Sequence, residues 1–265
     1  GFTRTLIVYL AAAVVVAAGA SYLLSRRTLK PIVANMRAQT EFVQNASHEL
    51  RTPTAVIISQ CEYALAHAET LDEAKAALAS VLGETEKMAR LLSQLLMLAR
   101  ADKSHKKLNL ETVDLSGLAA AVAEQQQENA GARGIAIQTE IEPGLVLQGD
   151  ETMLMRMLMN LIENGIKYGR ENGWLKVALK RQGTCICGSV QDNGPGIAPE
   201  HLGQVWKRFW QADPARGGSG AGLGLSMVKW IAEAHGGTVD VHSELGKGTE
   251  FTFSLPCQAA PEEKR

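Results

Sequence analysis

The 265-residue chain has almost no net charge, −1 from 27 Lys and Arg against 28 Asp and Glu. That balance leaves no basic surface for nucleic acid and no acidic tail. Cysteine is scarce, at four positions: Cys61, Cys185, Cys187 and Cys257. None of their spacings matches the CxxC pairs of a structural zinc site. Cys185 and Cys187, two apart, would share one face of a strand. All four read as reduced packing residues of a cytosolic region. The chain begins at Gly1 rather than Met, which predicts a piece of a longer protein.

One apolar run stands out. Leu6 to Leu24 holds nineteen residues without a charge. As a helix it would span about 28 Å, close to the roughly 30 Å hydrocarbon core of a bilayer. Tyr9 and Tyr22 sit near its ends, and Arg26, Arg27 and Lys30 follow it, against Arg4 before it. This bias puts the C-terminal side in the cytoplasm. No small-residue cleavage site precedes the basic cluster, so the run reads as a membrane helix and not a removed signal peptide. The short spacer between Arg26 and Phe42 cannot hold a linker domain. Pro31 marks the exit from the membrane helix or a kink in it.

The stretch Phe42–Pro53 reads FVQNASHELRTP. Apolar residues recur every seven positions through it, at Met36, Val43, Leu50, Ile57 and Ala64, with Thr40, Ser47, Thr54 and Cys61 four residues after the first four. That period predicts a helix with a heptad seam, one of whose two lines is small. His48 and Thr52, four apart, then face outward together, with Glu49 beside the histidine. The helix is expected from Ile32 to Ala68, bent after the histidine where Pro53 removes a backbone bond. A turn near Glu69 and Thr70 leads to a second helix, Leu71 to Ala101, with its seam at Leu78, Val81, Thr85, Met88, Leu92, Leu95 and Ala99. Two such helices make an antiparallel hairpin. One hairpin cannot cover its own stripe, so two chains are expected to pair as a four-helix bundle.

Ala101 to Asn109 is polar and basic and reads as a linker. Beyond it, alternation predicts strands at Leu108–Val113, Ile135–Ile141, Trp174–Lys180, Thr184–Gln191, Thr238–Ser243 and Thr249–Leu255. Helices are expected from an Asp114 cap to Ala130, from Asp150 to Tyr168, and from Leu223 to His235. Strands and helices interleave without strict alternation. That pattern favours an α+β two-layer sandwich, a mixed sheet with helices on one face. Gln258 to Arg265 is a tail.

Four boxes in this half carry chemistry. In RMLMNLIENGIKY, Asn160, Glu163, Asn164, Lys167 and Tyr168 recur three or four apart on one helical face. Amides are poor choices for a merely solvated face. An amide oxygen is a good hard ligand for Mg²⁺, and Lys167 adds a point charge for phosphate. The second box, Asp192-Asn-Gly194-Pro-Gly196, puts an acid at a strand end before two glycines that let the backbone turn tightly under a flat ligand. The third is Val205-Trp206-Lys207-Arg208-Phe209-Trp210-Gln211. The fourth, Gly217 to Gly224, opens a helix with bare backbone amides, a phosphate cradle.

The stretch SHELRTP resembles the phosphoacceptor box of the sensor histidine kinases of bacterial two-component systems. The four boxes resemble the N, G1, F and G2 boxes of the ATP-binding domain of those kinases, whose fold (Bergerat, or GHKL) is shared with gyrase, Hsp90 and MutL ATPases. The resemblance covers roughly Phe42 to Pro256. It implies a membrane segment over residues 1–30, a dimerisation and phosphotransfer hairpin over 31–103, an ATP-binding domain over 104–257 and a tail over 258–265. It also implies roles. His48 would accept phosphate, Glu49 would act as its general base, and Thr52 would position water for dephosphorylating a partner. Asn164 would be the principal Mg²⁺ ligand, supported by Asn160. Lys167 would contact phosphate, Tyr168 would flank the adenine and Asp192 would bind its amine. Gly194, Gly196 and Ile197 would shape the base pocket. Gly220, Gly222, Leu223 and Gly224 would border the triphosphate, and residues 198–222 would form a lid anchored by Phe209.

Some positions depart from the family pattern. Thr54 follows the proline in place of leucine, and Trp206 and Lys207 replace a phenylalanine and an acid. Gln211 stands where arginine is common, which passes its role to Arg208 or Arg216. Gly165 replaces alanine, at about 1 kcal/mol of helix propensity. The implied activity is transfer of the γ-phosphoryl group of Mg-ATP to His48 and on to an aspartate of a response regulator. Two other readings compete. A membrane-bound ATPase of the gyrase–Hsp90 type would need a glutamate where Asn160 stands. A nucleotide-binding receptor, scaffold or phosphatase-only member would bind ATP and form no phosphohistidine.

Overall fold

The computed structural model describes residues 1–67, 70–101, 108–212 and 221–257. The chain divides into two compact units, Gly1–Glu84 and Thr85–Arg265.

In the first unit, α1 is one helix of 66 residues, Phe2–His67. It continues through Pro31 and Pro53. Each proline removes one backbone bond, and the turns on either side carry the helix on. The stretch Phe2–Gly19 is long and apolar enough to cross a bilayer. The half-buried line of α1 runs Phe42, Ala46, Leu50, Pro53, Ile57, Gln60 and Ala64. Within the single chain Met36 is 64% and Val43 57% exposed, while Leu50, Ile57 and Ala64 are half-buried. Thr40, Ser47 and Thr54 are exposed, and their hydroxyls donate back to the carbonyls of Met36, Val43 and Leu50. Cys61 is exposed too and does not pack.

Helix α2, Leu71–Ala101, starts where the sequence placed it. A reciprocal capping box sets that start. The Glu73 N–H donates to Thr70 Oγ1 at 3.3 Å and the Thr70 N–H to Glu73 Oε2 at 3.2 Å. Residues 68–69 of the expected turn and 102–107 of the expected linker lie outside the described residues.

The second unit contains β1 (Glu111–Asp114), α3 (Leu115–Gln125), α4 (Gln127–Gly131), β2 (Ala136–Ile141), β3 (Val146–Gly149), α5 (Glu151–Tyr168), β4 (Trp174–Gln182), β5 (Cys185–Asp192), α6 (Pro199–Leu202), α7 (Gly224–Ala234), β6 (Thr238–Glu244) and β7 (Gly248–Pro256). Five strands form a mixed sheet in the order β2-β4-β5-β7-β6, with β2 parallel to β4 and the remaining pairs antiparallel. Alternate residues of the strands, such as Leu175, Val177, Ile186, Val190, Phe251 and Phe253, share one core with Leu154, Leu158 and Leu161 of α5 and Met227 and Ile231 of α7. A strand's period of two gives the sheet one such apolar face, and the amphipathic helices cover it. This is the expected sandwich.

Several details differ, among them the short helix α6, which was not expected. Strand β3 was not foreseen; it pairs with β1 in a separate two-stranded sheet. Four residues, Val-Leu-Gln-Gly, are too few to show a period. The strand expected from Leu108 begins only at Glu111, and the helix expected to Ala130 breaks at Gln126. Gln126 is buried and bonds Asn129 through its side chain, a local competitor to helix continuation.

Candidate active site

Helix α5 carries most of the predicted residues, and both of its ends are held. At the N-terminus, the Asp150 carboxylate accepts the Met153 N–H at 3.1 Å and the Asn109 N–H at 3.3 Å. This is an N-cap that also ties down the chain leaving the linker. The Asp150 N–H donates to His235 Nε2 at 3.0 Å, and His235 Nδ1 lies 2.8 Å from the Ile231 carbonyl. That pattern makes Nδ1 the protonated nitrogen of a neutral ring. At the C-terminus, the Arg133 guanidinium donates to the carbonyls of Ile166 and Lys167. A cation there satisfies carbonyls that the helix leaves open. Sequence reasoning singled out neither Arg133 nor His235 for these roles, because both act across long separations in the chain.

Along α5, the Asn160 amide donates from Nδ2 to the Arg156 carbonyl at 2.8 Å. Its oxygen is thereby turned toward the start of α7: a Cβ on Gly224 would lie 3.0 Å from Asn160 Oδ1. Asn164 and Lys167 are half-buried, and Tyr168 is 47% exposed. Lys167 Nζ sits 4.9 Å above the Tyr168 ring, a cation–π contact that steers the ammonium along the helix surface. Arg156 turns elsewhere and donates to Ser93 Oγ at 3.1 Å. Burial pushes the Glu163 carboxyl above the usual range, and the nearby Arg90 charge pulls it back.

Asp192 ends β5 and is 4% exposed. Its Oδ1 accepts the Gly194 N–H at 2.8 Å. Burial pushes its carboxyl up, while hydrogen bonds from the Gly194 and Thr249 backbone pull it down. A Cβ on Gly194 would fall 2.4 Å from the Tyr168 carbonyl oxygen and 2.7 Å from Asp192 Oδ1. Only glycine lets this loop close against the end of α5. Gly196 adopts φ 75° against the Glu244 carbonyl, and the Ile197 N–H donates to Ser243 Oγ at 2.8 Å. Ser243 and Thr249 therefore belong to this corner, although the sequence reading passed over them.

The Asp192–Gly194 turn meets the C-terminal end of α5, and the first residue of α7 meets its middle. Gly194 meets Tyr168, and Gly224 meets Asn160. Eight residues of helix rise about 12 Å, the scale of a nucleotide stretched from base to phosphates. Within the span 198–222 that was expected to form a lid, Phe209 and Gly222 are joined by a backbone hydrogen bond. Phe209 holds φ 61°, unusual for a bulky residue, and its N–H donates to the Gly222 carbonyl at 2.9 Å. Gly222 itself adopts φ 66°. Leu223 is buried and Gly224 opens α7. Arg208 and Gln211 are half-buried beside this junction. Trp206 packs edge-on against Phe251, so this departure from the family pattern lies in the core. Gly220 and Arg216 lie outside the described residues.

In the first unit, His48 and Thr52 are exposed on α1 and Glu49 is half-buried. The histidine is thus open to a reactant from solvent, with a hydroxyl one turn on. Among the described residues, no group of three or more His, Cys, Asp or Glu could hold a metal ion. The donors that fit a divalent cation are the amide oxygens of Asn160 and Asn164, hard ligands that leave further positions to phosphate and water.

A family model described as "His Kinase A (phospho-acceptor) domain" matches residues 38–104, and "Histidine kinase-, DNA gyrase B-, and HSP90-like ATPase" matches residues 149–259. The sensor-like histidine kinase SenX3 of Mycobacterium tuberculosis is 33% identical over 222 residues, covering 83% of this chain and 54% of that protein. Sensor protein SrrB of Staphylococcus aureus is 36% identical over 219 residues, covering 82% of this chain and 38% of that protein. Among solved structures, full-length ShkA in complex with AMPPNP matches with a TM-score of 0.63 and 29% identity, over 82% of this chain and 47% of that one. The chain spans about half the length of these relatives, or less. With a phosphoacceptor helix followed by an ATPase domain, it belongs to the sensor histidine kinases.

Proposed function

We propose that this chain is the kinase core of a membrane-anchored sensor, which autophosphorylates His48 from Mg-ATP and passes the phosphoryl group to a response-regulator aspartate. What carries this reading is one pairing: an exposed His48 on α1, and a nucleotide site with an amide, Asn160, where related ATPases need a carboxylate. An amide cannot take a proton from water, so the site favours transfer over hydrolysis.

A neutral ring nitrogen of His48 attacks the γ-phosphorus. A nitrogen–phosphorus bond forms, the bond to the β–γ bridging oxygen breaks, and ADP leaves with that electron pair. Glu49 takes the proton from the other ring nitrogen. Asn164 and Asn160 would hold Mg²⁺, which neutralises phosphate charge when bound. Lys167, Arg208 and the backbone at Gly222, Leu223 and Gly224 meet the phosphates. Asp192, Gly194, Gly196, Ile197 and Tyr168 enclose the base, and Phe209 anchors the lid. Thr52 positions water when the partner is dephosphorylated. The apolar run near Phe2–Gly19 anchors the chain with its catalytic part in the cytoplasm, and two chains pair through the hairpin, where Leu78 is 67% and Leu92 51% exposed. The functional segments follow the divisions 1–30, 31–103, 104–257 and 258–265.

The test is incubation of the chain with Mg²⁺ and γ-labelled ATP beside His48→Ala and Asn164→Ala. Acid-labile, base-stable label, lost in both variants, is the expected result. ATP binding without label would refute the kinase reading in favour of a nucleotide-binding receptor or phosphatase.

A further inference from the structure

Across strands β5, β7 and β6, one row of the sheet reads Asp192, Thr249, Ser243. Residues directly opposite one another in antiparallel strands share a face. On β4 the same row continues as the fully buried Leu175. The row therefore passes from apolar core to three polar side chains, of which Asp192 is 4% and Thr249 6% exposed.

Ser243 Oγ has three partners. It lies 2.8 Å from the Gly248 carbonyl oxygen, 2.8 Å from the Ile197 N–H nitrogen and 2.9 Å from Thr249 Oγ1. A hydroxyl has one proton and two lone pairs. The Gly248 carbonyl can only accept, so the Ser243 proton must point to it; otherwise two bare oxygens would face each other at 2.8 Å. The Ile197 N–H can only donate and takes one lone pair. What remains for Thr249 is the second lone pair, so the Thr249 hydroxyl donates to Ser243. With its proton committed there, Thr249 Oγ1 presents only lone pairs beside the Asp192 carboxylate, which accepts backbone hydrogen bonds from Gly194 and Thr249.

We propose that Ser243 sets the base specificity of the site by fixing the direction of the Thr249 hydroxyl, so that the pocket selects a 6-amino purine over a 6-oxo purine. The proposal rests on the nucleotide-site reading above and adds a positioning residue to it. An exocyclic amine brings donors to two acceptors, whereas a carbonyl oxygen at the same position brings a third acceptor. A site built around a hydrogen-bonding group discriminates strongly against an analogue that lacks it.

ATP and ITP share sugar and phosphates and differ at the base edge, where the 6-amine and bare N1 of adenine become a 6-oxo group and an N1–H, which makes them the probes. Binding of each to the full chain in detergent is measured by calorimetry for wild type, Ser243→Ala and Ser243→Thr. Wild type should prefer ATP by roughly 100-fold or more. Ser243→Ala frees the Thr249 proton to turn toward the base, and the ATP-to-ITP ratio should fall to about tenfold or less. Ser243→Thr keeps the hydroxyl and should keep the ratio. Equal weakening of both nucleotides in Ser243→Ala, with the wild-type ratio preserved, would show a structural role only and overturn the proposal. If Ser243→Ala does not fold, Thr249→Val tests the same point, and an unchanged ratio there overturns it equally. A wild type that binds neither nucleotide would instead sink the nucleotide-site reading itself.

Discussion

Gly165 replaces the alanine usual in this family, and restoring that alanine sets two effects against each other. Alanine in a helix interior is worth about 1 kcal/mol over glycine. At this position, however, a Cβ would lie 2.2 Å from Leu175 Cδ1, a contact that real atoms do not sustain. Leu175 is fully buried on β4, and its side chain has no solvent to retreat into. Overpacking a filled core costs about 1–3 kcal/mol. The clash equals or exceeds the propensity gain, and Gly165→Ala is expected to destabilise the ATP-binding domain by about 0–2 kcal/mol. At 2–4 °C per kcal/mol, the melting temperature falls by up to roughly 8 °C. Leu175→Val alone should cost about 1 kcal/mol, as deletion of one buried methylene does. Combined, the two changes should recover the propensity gain, with a coupling of about 1 kcal/mol or more, measured by denaturant unfolding of all four proteins. A Gly165→Ala protein stabilised by about 1 kcal/mol, or single effects that add within about 0.5 kcal/mol, would refute the reasoning.

Three further outcomes are expected. Because the folded protein raises the Asp192 carboxyl, it holds that proton more tightly than the unfolded chain, so stability is full at low pH and lost as pH rises through the folded pKa. Asp192→Asn should therefore melt higher than wild type at neutral pH without nucleotide, converge with it toward pH ~4, and gain nothing from added ATP; identical melting curves across pH would contradict this. Arg133→Met removes the donor to the Ile166 and Lys167 carbonyls, and should cost about 1–3 kcal/mol and weaken ATP binding more than His48→Ala does. Unaltered ATP affinity in calorimetry would count against the C-terminal clamp on α5. Leu78→Asp places a charge on the exposed stripe of α2 and should shift the chain from dimer to monomer in analytical ultracentrifugation; an unchanged dimer would place the interface elsewhere.

Much of this molecule was legible in the residues themselves. The start of α2 follows from Thr70 and Glu73, and the start of α5 from Asp150, because a cap is a contact between near neighbours in sequence. The strands of the five-stranded sheet showed as alternation because half of each strand meets one core. Exposure of His48 and Thr52 on one face of α1 followed from their spacing of four. Local rules stop where partners are distant. Nothing near Arg133 announces the end of α5, and nothing near His235 announces its start. Residues 33 and 85 positions apart met only when the chain folded. The row Asp192, Thr249, Ser243 is likewise a product of strand register. Chemistry-bearing residue types and local element starts were written in the sequence. The partners that orient those residues came from tertiary structure, because hydrogen-bond geometry depends on distance in space and not along the chain.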